Sequence, residues 1–211
     1  MNLPGLDKDG SWLIPERLNM AAQCLGQSSG KTAIIDLTGP TRRDVSFAEL
    51  SDMTDGLARA LRARISPGDR VGVLLSQSPW CAAAHLAIWK IGAVSVPLFK
   101  LFKRDALVSR LGDAGCAIVL TDSEGADMLD GLAEPWLADR VGIDGDAVAF
   151  AETGPEDPAV LIYTSGTTGS PKGALHAHRV LTGHLPGVAM SHDHLGQAGD
   201  CLWTPADWAW I

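Results

Sequence analysis

The chain has 211 residues, 46% hydrophobic and 20% charged, a composition that supports a buried core and excludes a disordered tail. Its 17 Lys and Arg stand against 25 Asp and Glu, a formal net charge of −8, so the surface has no general attraction for nucleic acid, whose phosphates call for dense Lys and Arg. Cys24, Cys81, Cys116 and Cys201 are too few for a disulfide-built mini-protein and form no CxxC pattern.

In chain order, MNLPGLDKDGSWLIPER lacks the basic start and apolar centre of a secretory signal. Lys31 to Leu37 reads as a short strand, and Arg43 to Ser46 as a hairpin arm against it. Ser46 and Glu49 make the S-x-x-E pattern of a capping box. Phe47, Leu50, Met53, Leu57 and Leu61 follow at spacings of three and four, one apolar face of a helix. Pro67 and Gly68 stop it, and Val71 to Leu75 is an unbroken apolar run. The stretch Trp80 to Phe99 is apolar enough to suggest a membrane, but Lys90 lies at its centre, where insertion costs about 2.5–3.5 kcal/mol. A buried helix from Pro79 to about Ile91 and a strand from Ala93 to Leu98 are expected instead. A helix near Arg104 to Ala114 and the run Cys116 to Leu120 complete the series. Continuous apolar strands alternating with helices predict a mostly parallel sheet covered on both faces, an α/β fold. A soluble protein of a reducing, cytoplasmic compartment is expected.

Ala151 to Pro158 (AETGPEDP) is a polar break, read as the join between a first α/β subdomain, residues 1–150 with 1–18 a loose lead-in, and a second beginning at 158. Ala159 to Tyr163 is the next apolar strand, and Thr164 to Gly173 (TSGTTGSPKG) follows as a loop. Gly166, Gly169 and Gly173 permit a close backbone approach to a ligand. Thr164, Ser165, Thr167, Thr168 and Ser170 add hydroxyl donors, Lys172 adds one positive charge, and no carboxylate is present. Such a loop suits a polyphosphate; a ligand-free Gly/Ser/Thr surface loop has the same composition. A Walker loop it is not, because Gly169 and Lys172 are not adjacent and Gly173 stands where Mg²⁺ needs a Ser or Thr.

Tyr163 to Gly173, YTSGTTGSPKG, resembles at every position the signature loop of the adenylate-forming (AMP-binding) enzymes. These include acyl-CoA synthetases, aryl-CoA ligases, peptide-synthetase adenylation domains and beetle luciferases. GDRVGVLL (68–75), Ser78-Pro79-Trp80, GAVSVPL (92–98), His178-Arg179 and TPADWAW (204–210) extend the likeness from about Asn19, most closely to medium-chain and acetyl-type acyl-CoA synthetases. The resemblance implies a layered α/β fold with mostly parallel sheets. It also implies ATP-dependent activation of a carboxylic acid to an acyl-adenylate, then transfer to coenzyme A. Thr164, Ser165, Gly166, Thr167, Thr168, Gly169 and Lys172 would hold the β- and γ-phosphates, with Mg²⁺ spreading their charge. No catalytic residue is assigned.

Five of six histidines, His176, His178, His184, His192 and His194, lie close together. On a helix His176 and His178 would diverge, so no metal site is expected, and His178 is read as lining the nucleotide or acyl region. Trp203, Trp208 and Trp210 suit either an acyl-pocket wall or ordinary core packing. The family's adenine-binding segment, ribose-gripping Asp, hinge and small C-terminal domain have no counterpart. The chain ends in the apolar ADWAWI, so an incomplete large N-terminal domain is expected, with apolar surface exposed near 203–211. Three functions follow: the N-terminal portion of an acyl-CoA synthetase, a non-catalytic fragment that binds nucleotide, or an interaction protein with an inert loop.

Overall fold

The chain enters its first helix, α1 (Met20–Leu25), through Asn19, whose side-chain oxygen accepts from the Ala21 N–H at 3.0 Å. The structure, a computed structural model, describes residues 4–164 and 171–209. β1 (Thr32–Asp36) and β2 (Arg43–Ser46) form the expected antiparallel hairpin. α2 (Phe47–Arg62) opens on the capping box: Ser46 Oγ accepts from the Glu49 N–H at 3.1 Å, and Glu49 Oε2 accepts from the Ser46 N–H at 2.8 Å. Two orphan donors of the first turn are thereby satisfied.

Next come β3 (Arg70–Leu74), α3 (Pro79–Lys90), β4 (Val94–Pro97), α4 (Arg104–Ala114), β5 (Ile118–Thr121), α5 (Ser123–Met128) and β6 (Glu134–Leu137). After an irregular stretch, β7 (Pro158–Thr164), β8 (Lys172–Ala177) and α6 (Val180–Ser191) follow. Six strands build one sheet in the order β6-β5-β3-β4-β7-β8, every neighbouring pair parallel except β7 with β8. The α/β architecture expected from the alternating runs is thus present. α1, α5, β6, β8 and α6 are additions that the patterning does not reveal.

Period-two alternation places the core on both faces. Val71, Val73, Leu75, Ile118 and Leu120 join Leu57 and Leu61 of α2 and Ile88 of α3. Leu74, Val96 and Val119 turn the other way, onto Leu107 and Leu111 of α4. Side chains buried to this degree contribute about 1.5–3 kcal/mol each. β7 meets β4 at the single register pair Ser95 with Val160, and Trp89 reinforces the seam: its indole N–H donates to Ala159 O at 2.9 Å and Ser95 Oγ at 3.0 Å.

Lys90, the charge inside the apolar stretch, is 2% exposed and pairs with Asp55 of α2 at 2.6 Å. The same carboxylate oxygen accepts the Val148 N–H at 2.8 Å, and the ammonium lies 4.3 Å from the Phe150 ring centroid. This pair clasps the irregular segment before β7 onto the helices. Arg59 adds donations to the carbonyls of Asp146 at 2.8 Å and Asp144 at 2.9 Å. Gly56 is required there, because a Cβ would sit 2.7 Å from Gly142 O. No helix among the described residues is long and apolar enough to cross a membrane.

Candidate functional site

Parallel strands all end on one edge of the sheet, and in open α/β folds ligands bind outside those carboxyl ends. β7 delivers Thr164 to that edge, alongside the ends of β3, β4 and β5. The antiparallel return of β8 sets Thr164 opposite Lys172 and Tyr163 opposite Gly173. The ten-residue loop read from sequence is therefore shorter at both ends: Thr164 closes β7, and Lys172 and Gly173 open β8. Thr164 and Lys172 are both exposed, and Lys172 makes no ion pair among the described residues. Ser165, Gly166, Thr167, Thr168 and Gly169, the remaining candidates for phosphate binding, lie outside the described residues.

Tyr163 fixes the base of this hairpin. Its hydroxyl donates to Asp113 Oδ2 of α4 at 2.5 Å. Burial, then the Asp113 carboxylate, raise the phenol above its ordinary value and keep it protonated. The Arg110 guanidinium lies 4.1 Å from the Phe102 ring centroid and 5.9 Å from that of Tyr163. Gly173 acts differently from the sequence reading. A Cβ there would come 2.9 Å from Leu161 Cδ1 and 3.4 Å from Tyr163 Cε1, so its bareness serves packing between β8 and β7. Sequence reasoning misses Asp113 and Arg110, fifty residues upstream on a helix where nothing distinguishes them from surface charges.

The carboxyl edge also holds a crevice of about 220 Å³, lined by Ser76, Gln77 and Ser78 after β3 and by Thr121 and Asp122 of β5 and its turn. The Gln77 side-chain amide donates to the Ala206 carbonyl, so the segment 204–209 reaches this edge. Asp122 also pairs with Lys100 at 2.6 Å, which Glu124 reaches at 3.0 Å. Trp203 is 78% exposed and Trp208 38%, which removes core packing as the explanation for Trp203; Trp210 lies outside the described residues.

The histidines do not converge. His176 lies on β8, and His178 follows the strand end. His178 is fully buried; its Nδ1 accepts the Met20 N–H at 3.1 Å, tying α1 to the turn before α6. Burial lowers its pKa while Asp157 pulls the other way, so the ring is neutral with its proton on Nε2, which has no partner among the described residues. No group of three His, Cys, Asp or Glu side chains among the described residues is placed to hold a metal.

The AMP-binding enzyme family model matches residues 21–211. The acetyl-coenzyme A synthetase of Alkalilimnicola ehrlichii is 32% identical over 238 aligned positions, which cover 92% of this chain and 36% of that protein. The crystal structure of Brucella canis acyl-CoA synthetase superposes with a TM-score of 0.75 at 25% identity, covering 92% of this chain and 39% of that one. The N-terminal subdomain of Klebsiella oxytoca NpsA, at 24% identity and a TM-score of 0.67, covers 80% of this chain and 44% of its own, and shares the fold. The chain thus spans about a third of the length of such curated relatives. With the signature hairpin at the carboxyl edge and the model match running from α1 onward, the chain belongs to the AMP-binding enzyme family.

Proposed function

We propose that this chain supplies the triphosphate-gripping part of an AMP-forming acid–thiol ligase, an acyl-CoA synthetase. The observation that carries the reading is the placing of Thr164 opposite Lys172 at the carboxyl edge of the parallel sheet. A hydroxyl residue and a lysine with no ion pair among the described residues stand opposite each other in register at the mouth of a segment with no carboxylate, on a chain of net charge −8. That donor set fits a triphosphate: Lys172 as point charge, Thr164, Ser165, Thr167 and Thr168 as hydroxyl donors, Gly166 and Gly169 as places of close backbone approach.

Held there, the β- and γ-phosphates become an oriented leaving group. A substrate carboxylate oxygen attacks the α-phosphorus of ATP, the bond to the bridging oxygen breaks, and pyrophosphate departs with its electron pair. A thiol, coenzyme A in this reading, then displaces AMP from the acyl carbon. Mg²⁺ would neutralise charge on the phosphates; the chain's own contribution is to bind and orient them. Residues 158–211 are the start of a second subdomain in this reading, and the four unpaired cysteines suit a reducing, cytoplasmic location.

For the 211 residues alone, nucleotide binding without turnover is the expected behaviour, since relatives devote about three times this length to the whole reaction. Carboxylate-dependent ATP–pyrophosphate exchange tests this directly. The exchange should be absent for the 211-residue chain and present once the chain is extended with the part of a relative that lies beyond its matched stretch. Exchange by neither, with nucleotide bound by neither, overturns the reading.

A further inference from the structure

β7 runs on past its parallel neighbour. Its register with β4 is the single pair Ser95 with Val160, so Ile162, Tyr163 and Thr164 extend beyond it. The antiparallel ladder with β8 continues to Thr164 opposite Lys172, which leaves the mouth of the signature segment on a two-stranded overhang. A two-stranded ribbon has little stability of its own, so its placing depends on side chains that reach the body of the fold.

Alternation along β7 supplies them. Leu161 and Tyr163 pack against the cluster of Leu107 and Leu111 of α4, while Ile162 belongs to the cluster of Met20 and Val180. The Tyr163 ring lies against bare Gly173, where a Cβ would stand 3.4 Å from its Cε1 and Cζ. Its hydroxyl reaches Asp113 Oδ2 at 2.5 Å. Among the described residues no other side-chain hydrogen bond or ion pair joins 161–164 or 172–177 to another element.

Asp113 is out of place by the rules of its own helix. It stands in the last turn of α4, which carries no basic residue and ends at Gly115 in the left-handed region. The partial negative charge of a helix C-terminus disfavours a carboxylate there, and Asp is a poor helix former. Arg110, one turn earlier, does not offset it. Among the described residues the two form no ion pair, and the guanidinium lies 4.1 Å from the Phe102 ring centroid instead. A residue that breaks its local rule and answers to one distant partner points to a site.

We propose that Asp113 is a positioning residue for phosphate binding: through the Tyr163 hydroxyl it fixes the overhanging Thr164–Lys172 pair relative to the carboxyl ends of β3 and β4. The phosphate part rests on the acid–thiol ligase reading; the tether itself does not. Asp113 acts through Tyr163 and need not touch the ligand, in the way that supporting groups hold a binding side chain to within about 0.5 Å. Burial and the Asp113 carboxylate keep the phenol protonated, so the donor is present throughout the neutral range.

The test combines hydrogen exchange of the unliganded chain with calorimetric titration by magnesium tripolyphosphate, a probe that presents phosphates without a nucleoside. Tyr163→Phe and Asp113→Ala should each speed exchange of the ladder amides in 162–164 and 172–174 about tenfold, with β3 and β5 unchanged, the size expected for one lost hydrogen bond to a charged group. Each should also weaken tripolyphosphate about tenfold, and the double variant no further than either single one. Asp113→Asn, whose amide oxygen still accepts the hydroxyl, should return both values to within about twofold of the parent. A group that merely stabilises the hairpin would alter exchange and melting and leave the tripolyphosphate Kd alone. Unchanged exchange in Tyr163→Phe, multiplying effects in the double variant, faster exchange with an unaltered Kd, or no rescue by Asp113→Asn each overturns the proposal. If Lys172→Ala loses tripolyphosphate while Tyr163→Phe binds it like the parent, the ligase reading stands and this one falls. If the parent binds none, the ligase reading falls together with the phosphate role of Asp113, and exchange alone decides the tether.

Discussion

Lys172→Ala separates a phosphate ligand from a structural lysine. Lys172 is exposed at the start of an edge strand and makes no ion pair among the described residues, so its removal should leave the unliganded protein within about 0.5 kcal/mol of wild type. With MgATP at ten times its Kd the wild type gains about 1.4 kcal/mol. For a chain of this size a kcal/mol corresponds to roughly 2–4 °C in Tm, so a rise of about 3–6 °C is expected. A hydrogen bond to a charged group contributes about 1.5–3 kcal/mol, which for the loss of Lys172 is roughly a 10- to 150-fold weaker Kd. At the same ATP concentration the variant would then gain no more than about 0.4 kcal/mol, a shift under ~2 °C.

The assay is a thermal melt of both proteins across an ATP series, with Lys172→Arg as the charge-retaining control. An identical ATP-induced rise in wild type and Lys172→Ala would refute the assignment. A variant that melts several degrees lower without ligand would mean that the ammonium supports the hairpin and not the phosphates.

Two further outcomes follow from buried groups. Lys90→Met leaves the Asp55 carboxylate buried with only the Val148 N–H, an imbalance that costs about 3–5 kcal/mol and should lower Tm by roughly 6–20 °C; adding Asp55→Asn should restore most of it, and a single variant melting within 1 °C of wild type would contradict the pairing. His178 is buried neutral, and its folded pKa lies below the unfolded value of about 6.5. Its contribution is therefore full above that value and is lost as the pH falls below it, with a slope of at most about 1.4 kcal/mol per pH unit. His85, pushed down to about 4 by burial, acts in the same direction. Denaturant melts between pH 7.5 and 5 should thus show a shallower fall for His178→Gln than for wild type, and parallel curves would show that His178 does not titrate on folding.

The half of the fold between Ser46 and Leu120 is legible in the sequence because each element carries its own signal. Ser46 and Glu49 announce a helix start, the 47–61 spacing a helical face, and VGVLL a strand buried on both sides. What stays hidden depends on partners remote in the chain. β8 reads as loop and tail because an edge strand half open to solvent, its pattern broken by Gly173 and by the exposed Leu175, has neither alternation nor a continuous apolar run. α1 and α5 are six residues each, too short for a periodic pattern to show. Asp55 looks like a helix-surface carboxylate until Lys90 arrives from another helix. The motif itself is legible, but its physical division is not. Gly173 sits in the signature beside Gly166 and Gly169, yet the described geometry gives it a packing role against Tyr163. The signature therefore holds at least one position that answers to the scaffold, and sequence alone does not sort it from those proposed to answer to a ligand.

That sorting bears on how a short polar segment could bind a flexible polyanion well. The seven residues between Thr164 and Lys172 are tied at both ends by the β7–β8 ladder, so the entropy of closing that loop is met during folding rather than at binding. Tyr163, at the last pair but one, is held from the opposite side by Asp113 of α4, and α4 packs on β3, β4 and β5 through Leu107 and Leu111. The mouth of the segment is thus referred to the central parallel strands through a side chain as well as through backbone pairing. A ligand that bridges Thr164 and Lys172 meets two groups whose separation is already fixed by the cross-strand register, and preorganisation of this kind leaves more of the interaction energy available as affinity. The asymmetry of the hairpin follows from the same logic. Its base, beside Tyr163 and Gly173, is built from aromatic and bare positions that lock, while from Thr164 to Lys172 the sequence carries hydroxyls, glycines and a single cation. Under the proposed function, rigidity and phosphate chemistry would occupy successive residues of one signature, with the Thr164–Lys172 pair as the boundary between them.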